Sequence, residues 1–140
     1  LTGVAGLAPL RRPVGLFAFA YVLLHLLAYL ALLAAFDANQ IVADLTERSY
    51  IIAGAVALLC LLPLAVTSTR GWQRRLRKRW QTLHRLVFIA GLAALLHLFW
   101  LTRDGFAEPV LYACVFGLAV AERLLSWRRR RLPAAPEPSL

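Results

Sequence analysis

Three histidines are the side chains whose type and spacing most suggest chemistry in this chain of 140 residues: His25, His84 and His97. Each lies inside or at the edge of a long apolar run, and His84 and His97 share the run LHRLVFIAGLAALLHLFW. A neutral imidazole carries one donor and one acceptor, and burying either without a partner costs roughly 1–3 kcal/mol. We therefore expect each ring to be bonded to a metal or to a neighbouring helix.

Four kinds of chemistry use histidine in apolar surroundings. Neutral imidazole is a strong axial ligand of haem iron, and helix bundles build such sites from facing helices. Zinc requires a third or fourth ligand, and His84 lies too far from the other two histidines to join them. A proton relay uses membrane carboxylates, and only Glu122 qualifies, beside Arg123 at a helix end. Haem ligation and hydrogen bonding between helices therefore remain open.

The elements that carry these histidines are predicted to be membrane helices. Hydrophobic residues make up 61% of the chain, against about 45–50% in soluble domains, and the mean hydropathy is +0.67. Apolar runs cover about 14–36, 50–67, 82–102 and 110–127, close to the roughly 20 residues that a spanning helix needs. A barrel strand is only about 9–11 residues long and alternates in polarity. The prediction is an all-α, polytopic transmembrane helix bundle with four spanning helices.

The positive charges predict how this bundle is oriented. The net charge is +9, and the basic residues flank the first run, fill the connection between the second and third, and follow the fourth. By the positive-inside rule, the basic loop and both chain ends are cytoplasmic. Since the charge follows the topology, it does not indicate nucleic acid. For the stretch GWQRRLRKRW we expect contact with anionic lipid, with an acidic partner or with a phosphate-bearing cofactor.

The ends of the chain suggest that it is a fragment. It contains no methionine, and its first ten residues are apolar but too short to span a membrane. We expect residues 1–13 to be the end of a truncated upstream segment and residues 14–127 to form the histidine-bearing transmembrane domain. Residues 128–140 are predicted to be a basic, Pro-rich cytoplasmic tail.

Depth along the helices indicates which histidines could share an iron. At about 1.5 Å per residue, His25 lies roughly 18 Å from a helix start near Pro13, and His97 lies roughly 22 Å from a start near Thr82. These two can clamp one haem between the first and third helices. His84, roughly 20 Å away, would serve a second haem. The second ligand of that haem stays open: it comes from a missing segment, is an unusual ligand or water, or the haem is absent.

The third run poses a geometric difficulty. Thirteen residues at about 100° each leave His84 and His97 about 140° apart around one ideal helix. Both can point into one groove only if the helix is distorted, for example near Gly91.

Several stretches of the chain resemble a known family. RRPVGLFAFAYVLLHLLAYL, and above all PLAVTSTR followed by RWQTLHRL, resemble the MsrQ (YedZ) family of the ferric-reductase-like transmembrane superfamily, over about residues 10–127. The resemblance implies a b-type cytochrome in the bacterial inner membrane, with His25, His84 and His97 as its haem and metal ligands. It implies one or two haem b groups, with FMN as a further candidate cofactor. The family usually has six spanning helices, so we expect the first two to be absent here.

The resemblance also implies a function. The family passes electrons from a cytoplasmic flavin reductase or quinol to a periplasmic, molybdopterin-containing methionine sulfoxide reductase subunit, which repairs oxidised proteins. The substrate chemistry would belong to that partner, and no catalytic residue is expected in this chain. Two alternatives remain: ferric-reductase-like or oxidase-like electron transfer to another acceptor, and a non-redox membrane scaffold.

Overall fold

A computed structural model of the protein describes residues 11–102 and 105–131, and every regular element within those ranges is helical. The all-α prediction is therefore confirmed. Of the predicted end segments, 1–13 and 128–140, residues 1–10 and 132–140 lie outside the described residues, while 11–13 lie in α1 and 128–131 in α7. The elements are α1 (Arg11–Ala28), a π-helical turn (Tyr29–Leu33), α2 (Ala38–Glu47), α3 (Ser49–Val66), α4 (Arg70–Leu76), α5 (Lys78–Leu83), α6 (Leu86–Leu101) and α7 (Ala107–Arg131).

Among the described residues, four helical stretches are long and apolar enough to cross a membrane. They are Arg12–Leu33, Ser49–Val66, Lys78–Leu101 and Ala107–Ser126, each with at least the 18 residues expected of a span. They coincide with the four apolar runs of the sequence, so the prediction of a multi-pass membrane protein is confirmed.

The acidic connection between the first two spans contains a helix that the run lengths did not reveal. The chain leaves the π-helical turn through Ala35 and Phe36, whose φ angles are +47° and +56°. Asp37 then caps α2, its carboxylate accepting a hydrogen bond of 2.9 Å from the amide of Asn39. With ten residues, α2 is too short to span a membrane, which is why a search for long apolar runs passes over it.

The most extensive contact between helices joins α3 and α6. The side chains buried on these two helices are mainly small: Ala53 and Ala57 on α3, and Ala90 and Ala93 on α6. Small residues let helix backbones approach closely, which is the usual way that membrane helices pack. Helix α1 also contacts α3, but its described side chains, at residues 12–28, all remain exposed or half-buried.

The basic connection between the second and third spans is also helical. The chain passes from α4 to α5 at Arg77, whose φ of +46° breaks the helix, and turns again at His84 and Arg85. Helix α6 then runs without a break through Gly91. The interruption that separates the two histidines of the third span is thus beside His84 and not at Gly91.

Helix α7 belongs to a second compact unit, which begins at Thr102, whereas the other described helices belong to the unit that ends at Leu101. Its first turn is closed by a hydrogen bond of 3.0 Å from the Val110 amide to the Phe106 carbonyl. None of the three histidines lies in this unit.

Candidate functional site

His25 and His97 face each other within the first unit. Their ring centroids are 6.1 Å apart and the ring planes are inclined by 83°. His25 lies in the last turn of α1, and His97 lies in the second half of α6. The structure thus brings together the two histidines that similar depth along the helices had paired.

This separation fits two imidazoles that share one metal ion. A metal–imidazole bond is about 2 Å long, and a ring nitrogen lies roughly 1 Å from the centre of its ring. Two rings on opposite sides of one metal therefore have centroids roughly 6 Å apart. The 6.1 Å between His25 and His97 meets that requirement. These are the residues that could hold a haem iron.

The imidazole of His97 is held by the backbone of α3. Its Nδ1 lies 2.6 Å from the carbonyl oxygen of Tyr50, and the two aromatic rings have centroids 6.0 Å apart. Because a carbonyl oxygen can only accept, Nδ1 carries the proton and donates. In the neutral ring, Nε2 is then unprotonated and is the nitrogen that can ligate a metal.

His25 is less constrained than His97. Its side chain is exposed, and among residues 11–102 and 105–131 its recorded contact is the ring of His97. The π-helical turn begins four residues later, at Tyr29. Such turns occur frequently at functional sites. An exposed imidazole in an apolar helix leaves its ring nitrogens available for a ligand.

His84 stands apart from this pair and is positioned by Trp80. The two rings stack with centroids 3.8 Å apart and planes inclined by 29°. Nδ1 of His84 lies 3.1 Å from the Trp80 carbonyl oxygen, so this nitrogen also carries the proton and donates. The indole Nε1 of Trp80 donates to the Thr67 carbonyl at 3.0 Å, at the end of α3. As in His97, Nε2 of His84 is left for a ligand.

Within the part of the chain that the structure describes, the recorded contacts of the His84 ring are with Trp80. Within the described ranges, no group of three or more His, Cys, Asp or Glu side chains could hold a metal ion. The second ligand of a haem at His84 stays open.

A polar cluster lies next to the His25–His97 pair and joins the π-helical turn, α2 and the first turn of α3. At its centre, Asp44 is only 4% exposed. It accepts hydrogen bonds from the Tyr29 hydroxyl at 2.7 Å and from Gln40 Nε2 at 2.9 Å, and Arg48 Nε lies 3.2 Å away. Arg48 in turn donates to the Tyr50 hydroxyl at 3.1 Å. The cluster thus links the turn after His25 to the residue whose carbonyl holds His97.

Arg48, like Asp44, lies outside the spans. The hydrogen bond to the Tyr50 hydroxyl, and next the charge of Asp44, raise the pKa of Arg48 above its ordinary value. The guanidinium therefore remains charged.

Several of these positioning residues could not be identified from the sequence. The role of Trp80 was visible in the sequence, because Trp80 precedes His84 by one helical turn and such pairs are neighbours on a helix. The role of Tyr50 was not visible in the sequence. Tyr50 contributes a backbone oxygen, which every residue has, and it lies far from His97 in the chain. The role of Asp44 depends on α2, which the apolar runs did not predict.

Comparison with known proteins identifies relatives along most of the chain. Residues 2–96 match the family model described as ferric reductase like transmembrane component. No solved structure matches.

Relatives that carry the name protein-methionine-sulfoxide reductase heme-binding subunit MsrQ include the following three. The protein of Rhodospirillum rubrum is 52% identical over 128 residues, which cover 90% of this chain and 62% of the relative. That of Xanthomonas campestris pv. campestris (strain 8004) is 44% identical, covering 99% of this chain and 66% of the relative. That of Xanthomonas oryzae pv. oryzae (strain MAFF 311018) is 47% identical, covering 91% and 56%.

The chain thus spans about three fifths of the length of the curated relatives that it matches. It is similar to MsrQ heme-binding subunits over most of its own length. With more than half of its residues matching the family model, the chain belongs to the ferric reductase like transmembrane component family.

Proposed function

We propose that this chain is the haem-binding part of a membrane electron-transfer subunit, in which His25 and His97 would hold one haem b. The observation that carries the proposal is the 6.1 Å separation of their ring centroids, together with the hydrogen bond that leaves Nε2 of His97 unprotonated. The names of the relatives, which are heme-binding subunits, support the same cofactor.

A haem bound there would supply reversible one-electron chemistry. The protein's part is to fix the two ligands, to exclude water and to tune the potential. Tyr50 fixes the ring of His97 through its carbonyl, and the apolar spans keep the surroundings dry. His84 is proposed as the ligand of a second haem at the opposite end of the third span, held by Trp80.

The proposed direction of electron flow is from the cytoplasm to the periplasm of a bacterial inner membrane. The basic α4 and α5 helices, rich in Arg and Lys, would face the cytoplasm under the positive-inside rule. The connection that contains α2 would face the periplasm. That side is then the place for a molybdopterin-containing methionine sulfoxide reductase partner, which would perform the substrate chemistry.

The cytoplasmic donor is proposed to be a flavin reductase or a quinol. An open groove at the α4–α5 junction is lined by four cationic side chains and Leu76. Positive charge at that junction suits an acidic donor surface or the phosphate of FMN, because complementary charge accelerates encounter. The lining cations are Arg75, Arg77, Lys78 and Arg79.

A second function has support from one observation. The matching family model is named for ferric reductases, so electron transfer to a metal or to oxygen outside the membrane is the competing proposal. Its haem ligands would be the same. Only the acceptor separates the two functions, so purified periplasmic partner is tested beside ferric chelates and oxygen.

Haem binding, which both candidate functions require, is tested by the reduced-minus-oxidised absorption spectrum of the purified full chain. We expect a b-type haem signal, a fraction of which is lost in both His25→Ala and His97→Ala. A separate fraction is expected to be lost in His84→Ala. Leu118→Ala, at an exposed position of α7, is the control and should keep the whole signal. Absence of haem in a folded, haem-supplemented preparation would contradict the proposal and favour a non-redox scaffold.

A further inference from the structure

Gly54 lies where the backbone of α3 comes closest to the imidazole of His97. A Cβ atom at Gly54 would stand 2.8 Å from Nδ1 of that ring, closer than real Cβ atoms come, and 3.1 Å from Cε1, which is tighter than most real contacts. By contrast, a Cβ at Gly15 on α1 or at Gly117 on α7 would meet nothing within 4 Å. Of these three helical glycines, only Gly54 makes room for another side chain.

The absence of a side chain at Gly54 allows the hydrogen bond that holds His97 to form. Gly54 follows Tyr50 by four residues, so in α3 its amide points at the Tyr50 carbonyl oxygen. That oxygen has a second lone pair, which accepts the Nδ1 proton of His97 at 2.6 Å. The ring therefore lies over the helical turn between Tyr50 and Gly54, and a side chain at Gly54 would push it off the carbonyl.

We propose that Gly54 is a positioning residue for the ligand His97: its missing side chain admits the imidazole to the Tyr50 carbonyl, which keeps the proton on Nδ1 and presents Nε2 to iron. The inference rests on the proposed function. A ring that donates from Nδ1 is a more basic ligand at Nε2, and a more basic ligand favours the oxidised iron. Gly54 would thereby hold the potential of this haem low.

The contact is tested first without haem. Replacing a glycine by alanine inside a helix ordinarily stabilises the helix. We therefore expect Gly54→Ala to lower the Tm of the apoprotein when His97 is present, and to leave it unchanged or raise it in a His97→Ala background. Gly15→Ala and Gly117→Ala are the matched controls and should not lower Tm in either background. An equal loss of Tm in both backgrounds, or no loss in either, overturns the inference.

The consequence for the ligand is tested with haem. Disturbing the group that orients a metal-bound histidine typically costs on the order of 10- to 100-fold in affinity. We expect such a loss for Gly54→Ala at the haem that depends on His25 and His97, with a midpoint potential above that of the wild type. Unchanged affinity and potential in Gly54→Ala would overturn the inference while the proposed function stands. A wild-type chain without haem contradicts the proposed function, and the positioning role falls with it.

Discussion

The hydroxyl of Tyr29 donates a hydrogen bond of 2.7 Å to Oδ2 of Asp44. This contact ties the π-helical turn that follows His25 to α2, fifteen residues further along the chain. From Asp44 the polar cluster continues through Arg48 to Tyr50, whose carbonyl holds His97. The relative placement of His25 and His97 therefore depends on a carboxylate that contacts neither ring.

Replacing Asp44 by alanine is expected to destabilise the protein by about 2–3 kcal/mol, because three polar side chains lose a charged partner. Tyr29→Phe removes one of these bonds and should cost about 1–2 kcal/mol. Both are measured by unfolding in a detergent series, together with the haem content of the pair His25 and His97. Glu47→Ala, at an exposed position of the same helix, is the control. An Asp44→Ala protein as stable as the control contradicts the linking role.

The contribution of Arg48 is expected to be independent of pH between about pH 6 and about pH 9. Its pKa is raised in the folded protein, so its stabilising effect is fully present below the pKa of the unfolded chain and is lost only as pH rises through the folded value. That window lies far above neutrality. Arg48→Gln should therefore lower Tm by the same amount at both ends of the range. A Tm difference between the wild type and Arg48→Gln that shrinks toward pH 9 would contradict this prediction.

Changing Trp80 is expected to affect the His84 haem and to spare the other one. Trp80→Phe keeps an aromatic ring beside the imidazole but loses the bond to the Thr67 carbonyl, for a cost of about 1 kcal/mol. Trp80→Leu also loses the stacking and should weaken haem binding at His84. Spectra compared with His84→Ala identify the affected fraction, and Trp72→Phe serves as a matched aromatic control. Equal loss of both haem fractions in Trp80→Leu would contradict a local role.

Reversing charge at the α4–α5 junction is expected to slow reduction by a cytoplasmic donor. Arg75→Glu with Arg79→Glu should lower the second-order rate at low salt and weaken its dependence on ionic strength, because both charges line the groove proposed for the donor. The rate is measured by stopped-flow reduction with a purified flavin reductase. Arg123→Glu with Arg128→Glu on α7 changes the net charge by the same amount and is the control. An undiminished rate of reduction would contradict the proposal that the donor binds at this groove.

The helices that carry the histidines could be predicted from the sequence because a spanning helix has a length and an apolarity that can be counted. The pairing of His25 with His97 followed from the same count, since helix rise converts position into depth. The direction in which His84 points could not be obtained that way. It depends on the turn at His84 and Arg85, which lies within a stretch that otherwise continues as helix.

The groups that hold the ligands were beyond sequence reasoning for a different reason. The acceptor for His97 is a backbone oxygen, and every residue offers one, so residue type gives no clue to Tyr50. The requirement for Gly54 appears only once α3 and α6 are packed together. From the sequence, Asp44 is expected to be an exposed acidic residue of a connection. In the structure it lies on α2, accepts a hydrogen bond from the Tyr29 hydroxyl and is buried.

The central claim, that one haem iron is held between His25 and His97, is tested most directly by electron paramagnetic resonance of the oxidised protein in a His84→Ala background. The claim predicts a low-spin ferric signal from two imidazole ligands, which disappears when either His25 or His97 is also replaced by alanine. A low-spin signal that survives both replacements, or no ferric haem signal in the His84→Ala protein, would contradict it.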